Sequence, residues 1–143
     1  LHAATGNTNA WQYQNAAFVA AGYRPIAYDR RGWGRTIVEA TGPASTAADD
    51  LRGLLDTLGL DRIHLVSTAG GGFVAFDFAI AFPTRLRSLV VADSIGGVQD
   101  REILDLEARS GPGSSNAGLL HHSVYWEEPE TFNRTVLDFI RKH

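Results

Sequence analysis

The 143-residue sequence contains no cysteine and no methionine. The first absence excludes disulfides, thiolate nucleophiles and Cys-based zinc sites together. The second leaves the chain opening on Leu1-His2, in what reads as the end of a strand. The expectation is a trimmed or partly represented form of a longer chain. An excess of positive charge is missing too. Thirteen Lys and Arg face 16 Asp and Glu, and a net charge of −3 provides no footprint for nucleic acid. Apolar runs are helix- or strand-sized, so nothing is expected to span a membrane, and no signal-peptide pattern is visible. A cytoplasmic protein is the expectation. With 44% hydrophobic and 20% charged residues the composition is globular, and the length suits one domain over 1–143.

Periodicity divides the chain into alternating strands and helices. Residues 1–9 read as a small polar loop, and Trp11–Ala21 as a helix with Trp11, Ala16, Phe18 and Val19 on one face, stopped by Gly22. Arg24–Tyr28 reads as a strand, although Pro25 suits only its start or an edge. Residues 37–45 read as loop. Ser45 or Thr46 caps the next helix, with Asp49 completing a capping box and Leu51, Leu54, Leu55 and Leu58 forming its apolar stripe. Gly59 ends it.

Arg62–Val66 is an apolar run of buried-strand type, followed by Ser67, Thr68, Ala69 and three glycines. The helix from Gly71 to Phe82 carries Phe73, Val74, Phe76, Phe78 and Ile80 on nearly all sides, which predicts deep burial. Leu86–Ala92 is a second parallel-type strand, ending at Asp93. Residues 100–109 suggest one exposed helix within a weakly patterned stretch, and Pro129 opens a last helix with Phe132, Val136, Phe139 and Ile140 on one face. Such alternation implies an α/β fold with a parallel sheet flanked by helices.

Four stretches, in this order, resemble the α/β-hydrolase family. LHAATGNTNAW is similar to its oxyanion loop, and YDRRGWGRT to its Asp-x-Arg-Gly-x-Gly loop at Asp29–Thr36. HLVSTAGGGFVAFDFAIAFPTRLRSLVVADS resembles the nucleophile elbow with its helix and following strand. HHSVYWEEPETFNRTVLDFI resembles the catalytic-histidine loop and last helix. The resemblance implies oxyanion donors at the Ala4 and Gly70 amides, His122 as general base and position 69 as nucleophile. Position 69 is alanine, and a methyl group cannot attack a carbonyl. Ser67 and Thr68 flank it, with hydrogen bonding inside the turn as their expected role.

The acid is the second departure. Only 27 residues separate Ser94 from His122, too few for the strands that the family places there, so the fold reads as incomplete or reduced and 94–120 as a degenerate or truncated cap region. Asp93 then offers itself either as the partner of His122 or as a polar residue at a strand end. Adjacent His121 and His122 diverge and have no third ligand nearby, so no metal and no cofactor are expected. Asp29, Arg30 and Arg31 are expected to fix a loop by charge pairing, and Trp11, Trp33, Tyr125 and Trp126 to pack or line a pocket. Glu127 and Glu128 suit the start of the last helix.

A competing pattern uses the same glycines. Gly70-Gly71-Gly72-Phe73-Val74-Ala75 fits G-x-G-x-x-A, and Asp93 follows Ala75 by 18 residues, near the ribose-binding spacing of a dinucleotide fold. Within the hydrolase-like reading three functions are open. They are a hydrolase of ester or carbon–carbon bonds with its serine replaced, a serine-independent enzyme using His122 as base, and a non-catalytic binder of a small ligand. All imply a small-molecule partner; the oligomeric state has no signal in the sequence.

Overall fold

The computed structural model describes residues 1–38, 44–94 and 124–143. Its local elements follow from local chemistry. Asn7 accepts a hydrogen bond from the Asn9 amide and starts a 3-10 turn, Thr8–Trp11, which runs into α1, Gln12–Ala20. The helix α2, Ala47–Thr57, begins on a reciprocal capping box. The Thr46 hydroxyl accepts from the Asp49 amide, and the Asp49 carboxylate accepts from the Thr46 amide. Gly59, at φ 65°, carries the chain out of this helix through a conformation that side chains resist. The strand β1 is Ile63–Thr68, α3 is Gly71–Ala81, and β2 is Leu86–Ala92. A short helix α4, Val124–Glu127, precedes α5, Pro129–Ile140.

Among the described residues the sheet has two strands, β1 and β2, paired in parallel from Ile63 with Leu86 to Thr68 with Ala92. Alternate residues point to opposite faces, and each face has its own core. On one, Leu65 packs with Leu51 and Leu55 of α2 and Ala75 and Phe78 of α3, joined by Ile63, Leu86 and Leu89. Burying a leucine such as Leu51 or Leu55 contributes about 1.5–3 kcal/mol. On the other, Val66, Val90 and Ala92 meet Trp11, Phe18 and Tyr23, with Tyr125, Phe132, Val136, Leu137 and Ile140 above them. Polar contacts tie this second layer together: Gln14 Nε2 donates to the Tyr125 carbonyl at 2.6 Å, and Trp126 Nε1 to the Ala10 carbonyl at 2.7 Å.

Four sequence expectations need correction. Residues 24–28 form no strand. An apolar cavity of about 280 Å³ lies between them and β1, so their backbone has no neighbour with which to form a ladder. The inward side here is Trp11, just before α1, with Gln14 and Phe18, rather than a face including Ala16 and Val19. Gln14 Nε2 is bonded to the Tyr125 carbonyl, while its Oε1 has no partner among the described residues. The helix α3 is not buried all round: Phe73 and Ile80 are exposed, since the sheet and α2 cover only the side carrying Val74, Ala75 and Phe78. In α5, Leu137 is buried where Phe139 was expected. The expected helix at 100–109 lies outside the described residues.

Candidate active site

The loops at the carboxyl ends of β1 and β2 lie side by side, because Thr68 and Ala92 are register partners. Immediately beyond them, Ala69 and Asp93 both take positive φ, 44° and 55°, unusual for residues other than glycine. The Ala69 amide donates to the Ala92 carbonyl at 3.0 Å, and the Ala69 carbonyl accepts from the Gly72 amide at 2.9 Å. These bonds hold residue 69 at the apex of a strand–turn–helix. Its neighbours point elsewhere, and neither bonds inside the turn as expected. Ser67 is fully buried and its hydroxyl donates to the Val90 carbonyl of β2 at 3.2 Å, while the fully buried Thr68 hydroxyl has no partner among the described residues.

Each glycine after the apex is an approach point for another segment. A methyl group on Gly70 would lie 3.1 Å from the Ala4 nitrogen, so the Gly70 backbone packs directly on Ala4. On Gly71 it would lie 2.7 Å from the carbonyl oxygens of both Leu1 and His2, and on Gly72 it would overlap the Ser94 hydroxyl. The run is therefore filled by protein. Carbonyl oxygens against Gly71 also make a poor seat for a phosphate, which disfavours the dinucleotide reading of these glycines.

The Ala3–Ala4 peptide is braced from three directions. The Ala3 carbonyl accepts from His2 Nδ1 at 2.7 Å, from the Gly6 amide at 3.1 Å and from Arg30 Nη2 at 3.2 Å. The Ala4 carbonyl accepts from Trp33 Nε1. His2 is fully buried, and its Nε2 accepts from the Arg30 amide at 3.2 Å. With Nδ1 donating and Nε2 accepting, the ring is neutral with its proton on Nδ1. Burial is the main force holding its pKa below the ordinary value, and the Arg30 charge acts in the same direction. The Arg30 guanidinium lies 4.5 Å from the Trp33 ring centroid. Asp29 accepts from the Thr8 amide at 2.8 Å and the Arg35 amide at 3.0 Å, which lowers its pKa and ties the second loop to the first.

Charge pairing accounts for only part of this loop. Arg31 pairs with Asp50 as expected, but Asp29 and Arg30 bind backbone groups. Trp33 is a hydrogen-bond donor as well as a ring, a role that its spacing in the sequence could not reveal. Asp93 lies close enough to Tyr125 for its charge, after burial, to raise the phenol pKa. His122 lies outside the described residues, as do His121 and nearly all of 94–120. The cavity of about 280 Å³ is at the sheet edge, lined by Tyr23–Tyr28 and Ile63–Val66, and not at the apex. Among the described residues no group of three or more His, Asp or Glu is placed to hold a metal, and no helix is long and apolar enough to cross a membrane.

The chain is similar to known proteins in sequence and in fold. The 2-hydroxy-6-oxononadienedioate/2-hydroxy-6-oxononatrienedioate hydrolase of Paraburkholderia phymatum is 42% identical over 96 residues, 64% of this chain and 33% of that protein. The 2-hydroxy-6-oxo-6-phenylhexa-2,4-dienoate hydrolase of Comamonas testosteroni is 37% identical over 98 residues, 64% of this chain and 34% of that protein. A thermophilic esterase from Thermogutta terrifontis matches with a TM-score of 0.62 at 28% identity, over 97% of this chain and 55% of its own. The chain thus spans about a third of the length of these curated relatives. Residues 1–113 match the family described as the alpha/beta hydrolase fold, and with the apex at Ala69 between β1 and α3 the chain belongs to that family.

Proposed function

We propose that this chain carries the carbonyl-binding half of a hydrolase site for ester or carbon–carbon bonds in a small organic substrate, with Ala69 standing in the attacking position. The observation that carries the reading is the packing of the Gly70 backbone on Ala4, beside an apex residue held at φ 44°. In this reading the amides of Ala4 and Gly70 are the two donors of an oxyanion hole. The Gly70 amide adds the start of α3, where the first N–H groups have no acceptor within the helix. His122 is the general base, and Asp93 the acid that orients it. The names of the relatives support the substrate class: one is an esterase, and another acts on a 6-oxo-dienoate that contains no ester.

No acyl-enzyme can form on a methyl group. Ala69→Ser supplies the hydroxyl, whose proton passes to His122 as its oxygen bonds to the carbonyl carbon. The bond from that carbon to the leaving alcohol then breaks, and His122 returns the proton to the departing oxygen. Water then releases the acid in a second displacement. The expected result is hydrolysis of p-nitrophenyl acetate by the variant at a rate well above that of the parent chain. A folded variant with no activity above the parent would count against the reading.

Ala69 itself favours a second reading, in which His122 deprotonates water and the hydroxide attacks the carbonyl directly. There the parent chain has turnover of its own. His122→Ala abolishes it, and undiminished turnover in that variant would remove this alternative.

A further inference from the structure

We propose that Arg30 and Trp33 are positioning residues for the Ala4 donor, an inference that rests on the carbonyl-binding reading above. A trans peptide is planar, and its N–H and C=O point in opposite directions. The Ala4 N–H belongs to the same plane as the Ala3 carbonyl, so whatever anchors that carbonyl aims the amide. Three donors anchor it, and the longest-range of them is Arg30 Nη2, 27 residues away in the chain. The other end of residue 4 is held by Trp33 Nε1 on the Ala4 carbonyl.

These two side chains act as one clamp. The Arg30 guanidinium stacks over the Trp33 ring, and the Arg30 amide fixes the His2 ring, whose own N–H supplies another of the three donors. Arg30 is buried, and among the described residues it forms no ion pair. Among the described residues its guanidinium is met by the Ala3 carbonyl and the Trp33 ring, which ties its placement to residues 3 and 33. The clamp holds the Ala4 nitrogen against the Gly70 backbone, which in the carbonyl-binding reading brings the two donors to one side of the apex.

The test compares Ala69→Ser with Ala69→Ser/Trp33→Phe on p-nitrophenyl acetate. Phenylalanine keeps the ring under Arg30 and removes the indole N–H. The expected result is a kcat lower by about tenfold or more with KM within about twofold, since a displaced donor weakens the transition state more than the ground state. An unchanged kcat would overturn the proposal, as would a loss confined to KM. If the phenylalanine variant does not fold, Arg30→Lys in the same background is judged by the same split. If Ala69→Ser alone has no activity, it is the carbonyl-binding reading that fails. The clamp is then decided by backbone ¹⁵N relaxation on the parent chain and Trp33→Phe. A lower order parameter at the Ala4 amide in the variant supports it, and equal values overturn it.

Discussion

Ala69 and Asp93 are twins in backbone conformation: each is the first residue beyond a paired strand end, each has positive φ, and the Ala69 amide bonds to the residue before Asp93. Among the described residues these are the two non-glycine residues with positive φ, so backbone strain is concentrated here. Strain of this kind persists only where the surroundings over-determine it, and it clusters at functional sites.

The strain at Ala69 is measurable. An L-residue in this region costs about 1–2 kcal/mol relative to the right-handed helix, and a β-branched one more. Ala69→Gly should therefore raise the unfolding free energy by up to about 1 kcal/mol, after the added freedom of the unfolded glycine is offset. Ala69→Val should lower it by about 2 kcal/mol. Urea denaturation of the three proteins checks the order glycine, alanine, valine, and a reversed order would contradict the backbone account.

Gly71 should tolerate no side chain. A methyl there meets two backbone oxygens, which cannot rotate away as a side chain could. Gly71→Ala is expected to cost about 1–3 kcal/mol, the range for overpacking, despite alanine's better helix propensity. A midpoint in urea equal to that of the parent would show that the segment carrying Leu1 and His2 moves freely.

Acid should loosen the same segment. The folded chain holds His2 below the ordinary imidazole value near 6.5, mainly by burial, so between the two values the unfolded chain binds more protons. The contribution of His2 is then full above about pH 6.5 and falls as the pH drops through the window below it. His64 is shifted in the same direction by burial and by Arg87, whereas the carboxylates of Asp29 and Asp49 are lowered from near 3.9 and act only in stronger acid. The buried Leu1 amine, lowered to about 5 by burial and then by the Arg30 charge, adds to the decline from pH 8 downward. His2→Asn with His64→Asn should therefore lessen the slope of unfolding free energy between pH 7 and 5 without abolishing it. An equally steep slope in the double variant would assign it elsewhere.

Tyr28 offers a test of the opposite sign. Its hydroxyl is buried without a hydrogen-bond partner among the described residues, and burial pushes its pKa up to about 12. Removing an unsatisfied buried hydroxyl relieves a desolvation cost of about 1–3 kcal/mol in the fully buried limit. Tyr28→Phe should leave thermal stability unchanged or raise it. A clear drop in the melting temperature would reveal a bond to this oxygen.

Features set by neighbours in the chain were legible from the sequence. Thr46 and Asp49 form their capping box within one turn, and the Leu51 and Leu55 stripe needs only helical periodicity. β2 occurs over the expected residues, and β1 extends two residues beyond its expected end. Features that depend on a distant partner were not legible. Phe73 and Ile80 look like core residues until the one-sided cover of α3 is known. Arg24–Tyr28 has strand composition, but a strand also needs a neighbour at bonding distance. In the site, Ala69, Gly70 and Ala4 could be paired only through resemblance. Nothing near Trp33 in sequence reveals that its indole meets a carbonyl 29 residues earlier.

The two cores on either face of the sheet differ in how far the chain must return to close them. The core under α2 and α3 is built from one almost continuous stretch, with only Leu1 and Tyr28 joining from outside it. The other depends on Gln14–Tyr125, Trp126–Ala10 and Asn133–Tyr13, contacts 111, 116 and 120 residues apart. Long closures must be made before their contacts reward them, so the first core can organise early and offer its bare second face as a template. The fold thus has an assembly order built into its wiring, in which the layer holding Trp11 and Phe132 closes last.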